Sequence, residues 1–187
     1  MLKIPVKVVY SLLRGFLAIV LFAFACHENL SVPTVGQPVS EIVLPDLEGG
    51  TFRLSEHRGK VVIINFWASW CPPCVDEMPS LERLHRALRD KGLEVVAISV
   101  DDSIEVIERF QRENGLSFTM LFDEDAKVAH GFQTFKYPET YIVDKEGRLL
   151  SKIVGPRNWI TPAIMLEVVG LLKSDKPLAP TGGSEGE

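Results

Sequence analysis

Apolar and polar positions along this chain follow two rhythms in turn. Val61–Trp67 (VVIINFW) is an almost unbroken apolar run of strand length, the pattern of a β-strand covered on both faces. After it, Val75, Met78, Leu81, Leu84 and Leu88 step by three or four, which predicts a helix with one apolar stripe running to about Asp90. Gly92 is placed to end that helix, and Pro79 inside it is expected to kink it. Leu93–Val100 (LEVVAISV) predicts a second buried strand. Ser103–Asn114 predicts a helix capped by Ser103, with Ile104, Ile107 and Phe110 turned inward. A short strand near Thr119–Phe122, a short helix near Ala126–Phe132, strands Thr140–Val143 and Leu149–Val154 around the Asp144–Gly147 turn, and a closing helix Ile160–Leu172 complete the series. Upstream, Ile42–Leu44 and Thr51–Leu54 flank Glu48-Gly49-Gly50 and predict a hairpin. Strand–helix–strand spacing makes this an α/β domain with a parallel core, helices on both faces and an antiparallel edge from the last hairpin.

The two ends break this pattern. Lys3, Lys7 and Arg14 precede an apolar run of 11 residues, Gly15–Ala25, which reads as a secretory signal. Extended back to Val8 the run reaches 18 residues, so an uncleaved membrane anchor stays open. Ala23-Phe24-Ala25 is an A-x-A cleavage site. Followed by Cys26, the same residues resemble a lipoprotein box, which makes Cys26 a lipidation candidate. Each version places the body outside the cytoplasm, in the cell envelope or periplasm, and the two tethered versions hold it to a membrane. Residues 26–38 read as a polar, Pro-rich linker, residues 39–172 as the folded domain, and residues 173–187 as a disordered tail.

Composition narrows the classes. At 187 residues, 46% hydrophobic and 24% charged, the chain suits one domain with extra length. Net charge is −5; the first 25 residues hold three bases and no acid, so the remainder carries −8. An acidic body repels phosphates, and nucleic acid is not an expected partner. Three cysteines exclude a disulfide-dense scaffold and a four-cysteine zinc site.

The chemistry lies in Trp70-Cys71-Pro72-Pro73-Cys74, where the first central strand gives way to its helix. A thiolate is the nucleophile of disulfide exchange, and a helix N-terminus stabilises its charge, so Cys71 is the attacking sulfur. Cys74, three residues on, lies on the same helical face within disulfide reach. Pro72 and Pro73 suit the first turn, which has no bonds for them to break, and Trp70 is expected to shield one side of the pair. Half a zinc site is the weaker alternative, because no second CxxC exists and His27, His57, His85 and His130 are scattered. A structural disulfide is weak too, since it closes almost no loop. No metal and no cofactor is expected. His85 is expected at the border of the packed face, and Arg157 and Trp159 are candidates for a substrate surface.

Val61–Pro79 (VVIINFWASWCPPCVDEMP) resembles exported thioredoxin-like proteins of the TlpA/ResA group, and GFQTFKYPETYIVDKEG resembles its cytochrome c maturation members (CcmG/DsbE). The resemblance spans roughly residues 36–172. It implies a thioredoxin-like fold, a mixed sheet between helices with an N-terminal hairpin extension. It also implies a redox-active Cys71–Cys74 disulfide and a cis proline at Pro138 facing it. Trp70, Pro72, Pro73, Tyr137 and Pro138 would then form the substrate surface. Thioredoxin itself has a titrating Asp where this chain has Asn65, so its proton relay must lie elsewhere or be absent. Glu77 matches the group's glutamate three residues after the second cysteine. It either tunes the thiols or is an ordinary first-turn acid complementing the helix dipole.

The function expected is that of a membrane-tethered thiol–disulfide oxidoreductase acting as a reductant. Its partners would be protein disulfides, an apocytochrome c CxxCH pair among them, and a membrane thiol donor of the DsbD/CcdA kind. Two alternatives stay open. A thiol peroxidase would carry Pro and Thr or Ser where this chain has Ile64 and Ala68. A copper metallochaperone would commonly use CxxxC.

Overall fold

The apolar run Val61–Trp67 is the middle strand of a five-stranded sheet, and all of its residues are buried. The computed structural model describes residues 32–174. The expected signal or anchor, the lipidation candidate Cys26 and the tail beyond Ser174 lie outside the described residues. In chain order the elements are β1 (Val43–Pro45), β2 (Thr51–Arg53), β3 (Val61–Trp67), α1 (Pro72–Leu88), β4 (Leu93–Ser99), α2 (Ile104–Asn114), β5 (Thr119–Phe122), α3 (Lys127–Gly131), β6 (Glu139–Val143), β7 (Leu149–Val154) and α4 (Pro162–Lys173).

The sheet order is β5-β4-β3-β6-β7. β3, β4 and β5 run parallel, whereas β6 and β7 are antiparallel to their neighbours. This is a thioredoxin-like fold. The β1–β2 hairpin forms a separate two-stranded sheet with Leu44 opposite Phe52.

Alternation along β3 divides the core. Val61, Ile63 and Trp67 pack on Cys74, Met78, Leu81, Leu84 and Leu88 of α1, with Ile107 of α2 and Val168 of α4 in the same cluster. Val62, Ile64 and Phe66 face the other way, toward the β1–β2 hairpin and Ala129 and Phe132 around α3. Helices therefore cover both faces. Truncating a side chain such as Leu81 to Ala would cost about 3 kcal/mol in a core of this kind.

Five details differ from the sequence reading. Ser103 occupies the N-cap position of α2, but its side chain makes no capping bond. Val75 is half-buried, and the inward stripe of α1 is led by Cys74 instead. The closing helix begins at Pro162, not Ile160, because proline is preorganised for a first helical position. The chain joins the domain before Val39: Gly36 N–H donates to Leu149 O at 2.8 Å and Leu149 N–H to Gln37 O at 2.9 Å. α1 runs through Pro79 as one continuous helix.

Candidate active site

The dithiol turn follows from where β3 stops. Cys71 takes extended backbone angles (φ −100°, ψ 100°) at the N-cap position, and Pro72 and Pro73 begin α1. The Cys71 carbonyl accepts from the N–H groups of Cys74 (3.0 Å) and Val75 (3.1 Å), closing the first turn. Cys71 and Cys74 form a disulfide with their Cα atoms 5.3 Å apart. Cys71 retains 6% of its exposure and Cys74 none, so only the first sulfur faces an incoming group. Pro72 and Pro73 are exposed beside it.

The turn is tied to the neighbouring strand. Ser69 donates to Asp101 through both its N–H (3.0 Å) and its hydroxyl (2.7 Å), and Ser99 Oγ adds a bond at 2.6 Å. Asp101 is buried. Its carboxylate thereby fixes the segment that leads into the cysteines.

The Tyr137–Pro138 bond is cis, as the sequence reading expects, and Pro138 is buried at the start of β6. Its carbonyl accepts from Gly155 N–H at 2.9 Å. Trp70 and Tyr137, the residues preceding Cys71 and Pro138, meet edge to face with centroids 6.0 Å apart. That contact brings the proline loop to the dithiol turn. Trp70 is 62% exposed and stands out into solvent.

Glu77 is not a first-turn acid at the surface. It is buried one turn beyond Cys74, because β3 and the segment before α4 close over it. Asn65 Nδ2 donates to Glu77 Oε1 at 2.7 Å. Arg157 N–H (2.9 Å) and the Trp159 indole N–H (3.3 Å) donate to Oε2. Burial raises the Glu77 pKa above its ordinary value, opposed by the bonds from Arg157, Asn65 and Trp159. A cleft of about 340 Å³, with Asp76, Arg83 and Arg157 among its walls, reaches Glu77 from solvent.

Arg157 and Trp159, candidates for a substrate surface, both donate to Glu77, Arg157 through its backbone N–H with its side chain exposed. Trp159 is buried, and its N–H donates to Ser80 Oγ at 3.1 Å while its indole holds Glu77. His85 is buried in α1, and burial lowers its pKa. Among the described residues, no three His, Cys, Asp or Glu side chains gather where they could share a metal ion.

Residues 35–152 match the AhpC/TSA family. Over 148 residues the chain is 34% identical to the thiol-disulfide oxidoreductase ResA of Geobacillus thermodenitrificans, spanning 79% of this chain and 84% of that one. The ResA of Bacillus subtilis is 29% identical over 150 residues, 80% of each chain. A crystal structure from Chlorobium tepidum, assigned as thiol:disulfide interchange protein DsbE, matches with a TM-score of 0.70 at 27% identity, covering 75% of this chain and 99% of that one.

Proposed function

Because the chain belongs to the AhpC/TSA family and is a thiol–disulfide oxidoreductase of the ResA and DsbE type, we propose that it works as an exported, membrane-tethered reductant of protein disulfides. The reading rests on one observation above all. A nearly buried disulfide sits at a helix N-terminus with only Cys71 retaining exposure, beside a proline loop and the exposed aromatic Trp70.

In the reduced form the helix terminus favours the Cys71 thiolate. That thiolate attacks one sulfur of the target disulfide, the target S–S bond breaks, and its other sulfur leaves as a thiolate and takes up a proton. Cys74 gives its proton to Glu77, directly or through water, and attacks Cys71 Sγ. The second target sulfur is then released and protonated. The target gains two electrons and two protons, and Cys71–Cys74 becomes the disulfide. Trp70, Pro72, Pro73, Tyr137 and Pro138 form the surface on which the target chain lies.

An apocytochrome c CxxCH pair is the substrate proposed, and a membrane thiol donor of the DsbD/CcdA kind would return the electrons. The basic, apolar N-terminus supports export, with tethering by that segment or by a lipid on Cys26. A thiol peroxidase fits less well, because Ile64 and Ala68 stand where that chemistry places a proline and a Thr or Ser hydroxyl.

Equilibration with glutathione redox buffers tests the direction. A reduction potential below about −200 mV supports a reductant, and one above about −150 mV makes it an oxidant. Envelope fractionation of Cys26→Ser tests the tether: release from the membrane identifies the lipid, and retention identifies the helix.

A further inference from the structure

The proline loop is held from below by a residue that the sulfur chemistry does not use. Glu139 directly follows Pro138 and is buried, a costly position for a carboxylate without a partner. The β6–β7 register puts Lys152 opposite Tyr141 and diagonal to Glu139 on the same face. Lys152 Nζ lies 3.0 Å from Glu139 Oε2, donates to the Gln133 carbonyl at 3.4 Å and sits 5.2 Å above the centre of the Tyr141 ring. Gln133 has φ +53°, a conformation that a non-glycine residue keeps only where its surroundings hold it.

Tyr141 supplies a rigid floor. Its ring meets Phe66 and Phe132 edge-on, with centroids at 5.7 and 5.1 Å. Its hydroxyl donates to Phe132 O at 2.8 Å and lies 2.9 Å from Thr134 Oγ1. One ammonium group thus ties residue 133 to residue 139, the two ends of the segment that carries Phe135, Tyr137 and Pro138. Phe135 is 70% exposed, and Tyr137 touches Trp70 beside the cysteines.

We propose that Lys152 is a positioning residue for protein substrates: by bridging Gln133 and Glu139 it holds segment 133–138 in the shape on which an extended target chain docks, without touching the reacting sulfurs. The inference rests on protein disulfides being the substrates. A small disulfide needs only the slight opening at Cys71, whereas a polypeptide needs the shaped surface beside it.

The test compares full-length wild type, Lys152→Met and Lys152→Arg with dithiothreitol as donor, on insulin and on hydroxyethyl disulfide. Lys152→Met is expected to raise KM for insulin about tenfold, with kcat and the hydroxyethyl disulfide rate within roughly twofold, and Lys152→Arg to restore most of the loss. An unchanged insulin KM overturns the proposal, as does an equal fall on both substrates. Should Lys152→Met fold poorly, Lys152→Gln replaces it. Amide hydrogen exchange then adds a second readout, expected to speed up over residues 133–138 alone. If wild type reduces hydroxyethyl disulfide but not insulin, the protein-substrate reading fails by itself. Exchange then decides the role of Lys152, and unchanged protection over 133–138 overturns it.

Discussion

Asn65 and Glu77 are joined across the core: the Asn65 side-chain N–H₂ donates to Glu77 Oε1 at 2.7 Å and to Thr140 Oγ1, on the facing strand, at 2.9 Å. Asn65 Oδ1 is buried with no hydrogen-bond partner among the described residues. The amide therefore holds Glu77 as an acceptor while keeping an acceptor of its own in reserve. If Glu77 is protonated, a rotated Asn65 amide can receive that proton's bond instead. Asn65 does not titrate, and the charge that thioredoxin carries on this strand is carried here by α1.

That placement predicts the effect of Glu77→Gln on the thiols. Removing a nearby negative charge makes thiolate formation easier, so the reduced pair should titrate at a lower apparent pKa. Ultraviolet thiolate absorbance against pH, in wild type and variant, reads this out. Identical curves would remove Glu77 from the sulfur chemistry.

The same substitution has a signature in stability. The folded-state pKa of Glu77 is raised above its ordinary value of 4.5, so the fold favours the protonated form. The stability this contributes is fully present below the unfolded-state value and is lost as pH rises through the folded-state value. Wild type should therefore lose stability relative to Glu77→Gln as pH rises above the ordinary value of 4.5, as urea midpoints would record. A difference that stays constant as pH rises contradicts the assignment.

Asp101 is predicted to matter without meeting substrate. Asp101→Ala strips acceptors from the N–H and hydroxyl of Ser69 and the hydroxyl of Ser99, and should cost about 2 kcal/mol in chemical unfolding. Insulin reduction should slow along with it, because Ser69 leads into Cys71. Full activity in a destabilised Asp101→Ala would show that the turn holds its shape unaided.

Trp159→Phe should act through Glu77. The ring remains, so the loss is chiefly the indole donor to Glu77 Oε2, about 1 kcal/mol. With one donor fewer, the carboxylate should titrate at a still higher pH, measurable by the carboxyl carbon shift of Glu77. An unmoved Glu77 would make Trp159 a packing residue only.

Much of this site is legible in the chain, and what is not has a definite cause. The Cys71–Cys74 pair stands out as a motif at a strand end, and Pro138 through the resemblance of the segment around it to the CcmG/DsbE members. The Ser69–Asp101 link is not local, yet it follows from one fact of topology. β3 and β4 pair in parallel with Val61 opposite Leu93, an offset of 32 residues, and Ser69 and Asp101 share that offset beyond the strand ends. Sequence periodicity identifies both strands but not their register. Glu77 is harder still. Its burial depends on Arg157 and Trp159, some 80 residues later in a segment without periodic pattern. Its place three residues after Cys74 matches the TlpA/ResA group, but nothing near Glu77 in sequence marks it as buried where Asp76 beside it is exposed.

The division of labour between the two cysteines is the central claim, and trapping tests it most directly. Full-length Cys74→Ser, reduced and mixed with an oxidised peptide disulfide, should accumulate a mixed disulfide that peptide mapping locates on Cys71. Cys71→Ser should accumulate none on the buried Cys74, and wild type should pass through the adduct to the Cys71–Cys74 disulfide and free dithiol. An adduct forming on Cys74 in Cys71→Ser as fast as on Cys71 in Cys74→Ser would contradict the account.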